Sequence, residues 1–366
     1  MTTLGIEEEY LLLEPASGLP MHCATDVQHL LARLPGLSDD DIQRELLSCQ
    51  IETATPVCET LTQAEESLLN FRRQLAAAAG ECGALAAPTA TAPRIGQHYP
   101  ELTDKQRYRD LQLSAPGIVG DQFVNGLHVH VGIPDKESGI QALNRIRPWL
   151  PIITALSTNS PYWMDRDSGF GSWRVIHYRR WAVQGIPPLF ADAADYERRI
   201  GQLEETGAII DRGVLTWVAR LSETYPTLEV RTGDAQLEAQ DSVLLAALVR
   251  GLVTTAISAA RAGARLPAPD PELLDASLWQ AARDGLTAHA MDPETGVRMP
   301  ARQRLSELLE FIGSALDAEG DTAWVESALT RLEAQGTGAE RQRRAMRDAG
   351  MPGLLALYRD SLTNEH

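Results

Sequence analysis

The sequence predicts an α+β fold built on a mainly antiparallel sheet, and two observations carry that expectation. Strand-like runs fall in the first two-thirds of the chain, and from Asp241 onward nearly everything reads as helix. Strands that gather ahead of helices, instead of alternating with them, form an antiparallel sheet with a helical layer. The same division gives a single domain over 1–366, sheet-rich over 1–240 and mainly helical over 241–366.

The first strand is Leu4 to Leu13, apolar at both ends with Glu7, Glu8 and Glu9 between. Alternate side chains of a strand share a face, so Glu7 and Glu9 point one way, about 7 Å apart, and Glu8 the other. Such a pair is either an exposed acidic edge or a seat for a hard divalent cation, Mg²⁺ or Mn²⁺. Asp26 to Leu34 has helical spacing and stops before Pro35-Gly36. Arg44 to Pro56 reads as one strand or two short ones, and Glu45 and Glu52 reach one site only across a bulge or break. Leu61 to Gly80 is the clearest helix of the first half, followed by a buried strand and turn over Ala84 to Thr89. Residues 91–112 form a loop and short helix with Arg94, His98, Tyr99, Lys105, Arg107, Tyr108 and Arg109, either a lid or a solvated connection.

Gly126 to Gly132 is a strand with His128 and His130 on one face, a metal pair or a structural one. Gln141 to Ser160 is helical, interrupted by Pro148 and Pro151. Residues 165–188 are loop-like and hold Arg166, Trp173, Arg174, His177, Arg179, Arg180 and Trp181. In an acidic protein that local basic excess is either a pocket for a carboxylate or phosphate, or a basic surface. Leu215 to Arg220 and Thr227 to Asp234 read as neighbouring strands, the second with Glu229 and Arg231 on one face. Val243 to Ala260 is a long apolar helix, and Pro267 to Pro271 separates it from a charged helical remainder.

Composition narrows the function. The 366 residues are 44% hydrophobic, enough for a substantial core. A net charge of −17, from 50 acidic and 33 basic residues, is the reverse of a nucleic-acid binder's. No apolar run approaches the ~20 residues of a membrane span, and no signal-peptide pattern is visible. Cys23, Cys49, Cys58 and Cys82 lack metal spacing and fit reduced thiols of a cytoplasmic protein. Without a Walker loop or GxGxxG, a nucleotide would have to be held by metals and arginines. Same-face ligand pairs on three strands, Glu45 and Glu52 on a fourth segment, and nearby arginines suit several Mg²⁺ ions. Those are the needs of phosphoryl transfer from ATP, which rests on positioning and charge stabilisation.

Several of these motifs occur together in a recognisable order. Gly5-Ile6-Glu7-Glu8-Glu9-Tyr10, the Glu45 to Pro56 segment, Gly126-Leu127-His128-Val129-His130-Val131-Gly132, Leu228-Glu229-Val230-Arg231 and the late turn Asp292-Pro293-Glu294-Thr295-Gly296 resemble the carboxylate–amine ligase family. This family is also called glutamate–cysteine ligase type 2 and belongs to the glutamine synthetase-like superfamily. The resemblance runs from residue 4 to about residue 360. It implies a curved sheet forming a funnel-shaped site with flanking helices, ATP entering one end and the amino-acid substrate the other. The implied reaction is ATP- and Mg²⁺-dependent, with a carboxylate, that of glutamate, phosphorylated and then attacked by an amine, cysteine or another.

Matched by position, Glu9, Glu45 and Glu52 would hold one Mg²⁺ and Glu7, His128 and Glu229 a second, with Mn²⁺ as the alternative ion. Arg231 would contact the transferred phosphoryl group, His130 would lie near the ATP phosphates, and Arg174 would bind a substrate carboxylate. Arg231, Glu229 and Arg174 are thus the implied catalytic set. Phe170-Gly171-Ser172-Trp173-Arg174 departs from the family's aromatic-Ala-Ser-x-Arg run, and His177, Tyr178 and Trp181 add bulk that would reshape the amine pocket. The expected partners are small molecules, not nucleic acid or membrane, and a homodimer is an allowed assembly. A different amine acceptor, and an ATP-independent metal-dependent amide hydrolase using the same ligands, are the alternatives.

Overall fold

The computed structural model describes residues 2–34 and 42–364. Pro35-Gly36, where the first helix is expected to stop, lie outside the described residues, as do the extreme ends of the 1–366 domain. In chain order the first half holds β1 (Leu4–Leu13), α1 (Ala24–Leu31), β2 (Ile42–Arg44), β3 (Gln50–Ala54), α2 (Leu61–Glu81), β4 (Leu85–Ala87), α3 (Gln106–Ser114), α4 (Pro116–Val119), β5 (Gly126–Gly132), α5 (Lys136–Ile146), α6 (Leu150–Leu156), β6 (Tyr162–Trp163), β7 (Arg166–Asp167) and α7 (Trp173–Tyr178). There follow β8 (Gln184–Gly185), α8 (Ala193–Glu205), β9 (Thr216–Trp217), β10 (Ala219–Leu221), β11 (Thr227–Asp234), α9 (Ala239–Arg261), α10 (Pro271–Asp284), β12 (His289–Met291), β13 (Arg298–Pro300), α11 (Ala301–Glu319), α12 (Thr322–Gln335) and α13 (Gly338–Leu362).

Seven strands form the main sheet in the order β10-β11-β5-β1-β3-β2, with β4 also paired to β1. Each of its pairings is antiparallel, so the expected α+β class holds. Strand alternation divides the sheet into two chemically distinct faces. Ile6, Leu127, Val129, Leu228 and Val230 point to one side and join the core, where α9 lies against β1 and β5. Glu7, Glu9, Glu52, His128, His130, Glu229 and Arg231 share the other side.

α2 begins on a capping box, in which the Thr60 hydroxyl accepts from the Gln63 N–H while the Gln63 side chain accepts from the Thr60 N–H. α5 starts at Lys136, earlier than expected, because the Asp135 carboxylate caps it. Pro148 and Pro151 then divide the helical stretch through a 3₁₀ turn at Arg147–Trp149.

Of the two readings of Arg44 to Pro56, the structure takes the two short strands: Arg44 ends β2 and β3 follows after a turn, since the chain must reverse for the two to pair. Three expectations are corrected. Leu215 to Arg220 is not one strand, because β9 pairs in parallel with β8 while β10 turns to pair with β11. The helical remainder contains the hairpin β12–β13, with Asp292 to Gly296 as its turn, closed by the Asp292 N–H donating to the Val297 carbonyl. Finally, α9 is long and apolar enough to cross a membrane by composition alone, but 72% of its apolar window is buried inside the molecule. It is the core helix between the sheet and α5, α11 and α12.

Candidate active site

The strand registers put the acidic and imidazole side chains in cross-strand pairs. Glu9 faces Glu52 on β3, Glu7 faces His128 on β5, and His130 faces Glu229 on β11. Directly opposed side chains on one face are the closest neighbours a sheet offers, so the three pairs form one row across four strands. Glu45, just beyond β2, reaches back over the turn to complete the row's first group. Donor atoms of Glu9, Glu45 and Glu52 all lie within 4.8 Å of one another. The same holds for Glu7, His130 and Glu229, and for Glu7, Glu52 and His128.

The second expected set, Glu7, His128 and Glu229, is therefore placed somewhat differently. His130 groups with Glu7 and Glu229 because it is Glu229's cross-strand partner, whereas His128 Nδ1 lies 2.9 Å from Glu7 and 3.9 Å from Glu229. Arg231, two residues beyond Glu229 on the same face, pairs with the Glu229 carboxylate.

Electrostatics sharpens the row. Burial, then the neighbouring Glu45 charge, pushes Glu9 up to about 8. Burial and the surrounding Glu45, Glu7 and Glu9 charges likewise raise Glu52 well above the usual carboxylate range. Burial opposes ionisation of Glu7 too, but hydrogen bonding to His128 and His130 outweighs it and lowers that carboxyl. For Glu229, burial is outweighed by Arg231 and Arg220, which hold it low. Burial and the Arg231 charge bring His128 down to about 4, so its imidazole is neutral and fit to be a ligand. His128 Nε2 is also buried without a hydrogen-bond partner. Three crowded carboxylates at one end, and an orphaned neutral imidazole beside them, fit hard divalent cations.

The row lines a cleft of about 720 Å³ whose walls include Tyr108, Leu111, Val124, Tyr178, Trp181 and Val214. A second chamber of about 700 Å³, lined by Leu4, Ile6, Val57, Ile133, Pro134 and Ile257, shares Glu7, His130 and Tyr225 with the first. The candidate ligands thus sit between a polar cleft and a largely apolar chamber.

Only one arginine of the 165–188 segment is turned toward the sheet. The α7 turn places Arg174 and Tyr178 on one face, where the guanidinium lies over the Tyr178 ring at 4.8 Å. Its Nη1 and Nη2 both donate to the Arg231 carbonyl at 3.3 Å, and its buried Nε has no partner. Gly126 makes this possible, since a Cβ there would overlap the guanidinium. The other arginines disperse, with Arg166 exposed, Arg179 on Asp275 and Arg180 on Asp121. They lie outside the helix face that meets the sheet, so the expected basic pocket reduces to Arg174. In the 91–112 segment, Arg107 and Tyr108 reach the cleft, while Arg94 and Arg109 pair with Asp165 and Asp104.

Two features escaped the sequence. Arg220 faces Glu229 across β10–β11 and donates to it at 2.8 Å, a contact legible only once the register is known. Behind the row, Glu8 is clamped by Arg72, whose Nη2 donates at 2.7 Å and Nε at 2.9 Å, with Tyr10 and Ser242 completing its shell. No local signal marks Arg72 as the partner of a residue so distant in sequence.

Comparison with known proteins adds to this geometry. A family model described as glutamate-cysteine ligase family 2 matches residues 3–360. The chain is 40% identical over 349 residues to a Mycobacterium sp. (strain KMS) protein bearing the provisional name glutamate–cysteine ligase 2-2, covering 95% of this chain and 94% of that one. It is 41% identical over 345 residues to the provisionally named glutamate–cysteine ligase 2-1 of Nocardia farcinica, covering 94% of this chain and 88% of that one. In fold it is similar to the Francisella tularensis glutamate–cysteine ligase solved in complex with AMP, at a TM-score of 0.67 and 12% identity over 100% of this chain and 89% of that one.

Proposed function

Because the chain belongs to glutamate–cysteine ligase family 2, and is thereby an ATP-dependent carbon–nitrogen ligase, we propose that it joins the γ-carboxylate of glutamate to an amine, with cysteine as the first acceptor to test. The observation that supports this most is the row Glu9–Glu52, Glu7–His128, His130–Glu229 ending at Arg231. It concentrates more negative charge than the adjacent arginines balance, as the raised Glu9 and Glu52 carboxyls register. Glu9, Glu45 and Glu52 would hold one Mg²⁺ or Mn²⁺, and Glu7 and Glu229 with His128 or His130 a second. Bound there, the ions would neutralise the triphosphate and the developing charge of the transfer.

The chain's own residues then have defined tasks. The apolar chamber suits an adenine base, a reading in keeping with the AMP carried by the fold neighbour. His130, shared by chamber and cleft, would face the phosphates. Arg231 would stabilise charge on the phosphoryl group as the donor carboxylate oxygen bonds to phosphorus and the bond to ADP breaks. Arg174, whose Nε has no partner among the described residues, would take the α-carboxylate of glutamate. The amine then bonds to the acyl carbon, loses a proton, and phosphate leaves. This chemistry belongs to a cytoplasmic setting, where small thiols and amines stay reduced and free.

A second acceptor class is favoured by one observation. Among the described residues, Arg107 is forked onto Asp211, Arg212 onto Glu197, Glu204 and Glu223, and Arg220 onto Glu229 and three carbonyls. A second substrate carboxylate would meet no unpaired arginine on these walls, while Tyr108, Tyr178 and Trp181 offer apolar ones. An amine without a carboxylate suits that lining. The experiment is ADP release with Mg²⁺, with L-glutamate alone and then with cysteine and a panel of carboxylate-free amines. ADP release that requires glutamate and rises with one acceptor is expected. Amide cleavage without ATP would instead favour the metal-dependent hydrolase.

A further inference from the structure

Asp234 closes β11 and is fully buried, yet nothing in the reaction above uses it. Its carboxylate is saturated by one local structure. Oδ2 accepts from the Asn159 backbone N–H at 2.8 Å and from the Ser160 hydroxyl at 2.7 Å, and Oδ1 accepts from the Ser172 hydroxyl at 2.8 Å. Both serines then act on α7. Ser160 Oγ accepts the Arg174 backbone N–H at 3.2 Å, and Ser172 Oγ caps the helix by accepting the Val175 N–H at 3.3 Å. Asp234 also lies opposite Gly126, the residue that leaves room for the Arg174 guanidinium. Arg231, whose carbonyl receives that guanidinium, lies within the register shift between Val230 and Gly233, just ahead of Asp234. One short segment of β11 therefore fixes Arg174 at both ends, its backbone through Asp234 and its side chain through Arg231.

We propose that Asp234 is a positioning residue for the carboxylate donor, setting through Ser160 and Ser172 where Arg174 presents its guanidinium. The inference rests on the reading that Arg174 meets the donor's α-carboxylate. Three hydroxyl and amide donors converge on Asp234, so it orients two hydroxyls whose remaining lone pairs face α7. Asn159 extends the support, its Oδ1 accepting at 2.6 Å from Gln342 on α13, which itself accepts from Tyr358 at 2.8 Å. The support of Arg174 is thus braced against the last helix of the chain.

The test is steady-state kinetics of Asp234→Asn, Ser172→Ala, Arg174→Ala and the double variant Asp234→Asn/Arg174→Ala, each checked for a retained melting transition. Asp234→Asn is expected to raise the KM for glutamate roughly tenfold and leave the KM for ATP unchanged. It should add nothing in the Arg174→Ala background. With 4-aminobutanoate, which keeps the reacting carboxylate but lacks the α-carboxylate, Asp234→Asn and the parent should be indistinguishable. If Arg174→Ala raises the glutamate KM and Asp234→Asn does not, the positioning role is overturned while the reading of Arg174 stands. Equal rises for glutamate and ATP would also overturn it, since they mark a merely structural loss. An unchanged glutamate KM in Arg174→Ala would remove the underlying reading and this inference with it. Should Asp234→Asn fail to fold, Ser172→Ala carries the same readouts with one hydrogen bond removed.

Discussion

His177 packs edge-on against Trp163, ring centroids 4.4 Å apart, with an Arg180 Nη2 2.6 Å from its Nδ1. Burial, then the Arg180 charge, brings it down to about 3 from an ordinary 6.5. Asp121, 3.9 Å away, is already engaged by Arg180 and does not reverse the balance. The folded state thus holds a neutral imidazole that the unfolded chain would protonate below pH 6.5. Stability from this residue is fully present above pH 6.5 and is lost as pH falls toward 3, with a slope of at most about 1.4 kcal/mol per pH unit. Urea unfolding at pH 7 and pH 5 should show His177→Gln losing less stability on acidification than the parent, by about 1–2 kcal/mol. Equal losses would show that His177 titrates normally.

At the scale of elements, β1 serves two purposes through one alternation. Glu7 and Glu9 face the cleft, and Glu8 between them faces the core, held by Arg72 with Tyr10 and Ser242. Arg72 also donates to the Leu237 and Gln236 carbonyls, which ties α2 to the β11–α9 connection. Breaking a buried pair leaves an uncompensated charge, so Arg72→Met should cost about 3–5 kcal/mol, and adding Glu8→Gln should restore much of it. Denaturant melts of both variants check this, and equal stabilities for single and double variants would contradict it. Alternation also explains what the sequence made legible. Same-face pairs such as Glu7 with Glu9, His128 with His130 and Glu229 with Arg231 follow from period two within a strand. Which pair faces which, and so whether His128 or His130 groups with Glu229, depends on register between strands far apart in sequence. The Arg72 clamp, Arg220 and Asp234 are long-range or cross-strand partners of the same kind. The basic excess of 165–188 reads either as a pocket or as a surface, and only the short helix α7 divides the two, keeping Arg174 toward the sheet and leaving Arg179 and Arg180 on surface carboxylates.

In the whole molecule, the apolar face of the sheet rests on α9, and the opposite face gathers the charged row between two cavities that share Glu7, His130 and Tyr225. That arrangement suits a reaction in which a nucleotide and a carboxylate approach from opposite sides and meet over the row. The central claim is that the carboxylate is activated by taking phosphate from ATP. Glutamate labelled with ¹⁸O in its γ-carboxylate, turned over with ATP and the amine acceptor, tests it most directly. Transfer through an acyl phosphate delivers one ¹⁸O to each phosphate released, and that is the expected result. Amide formed with unlabelled phosphate would contradict it.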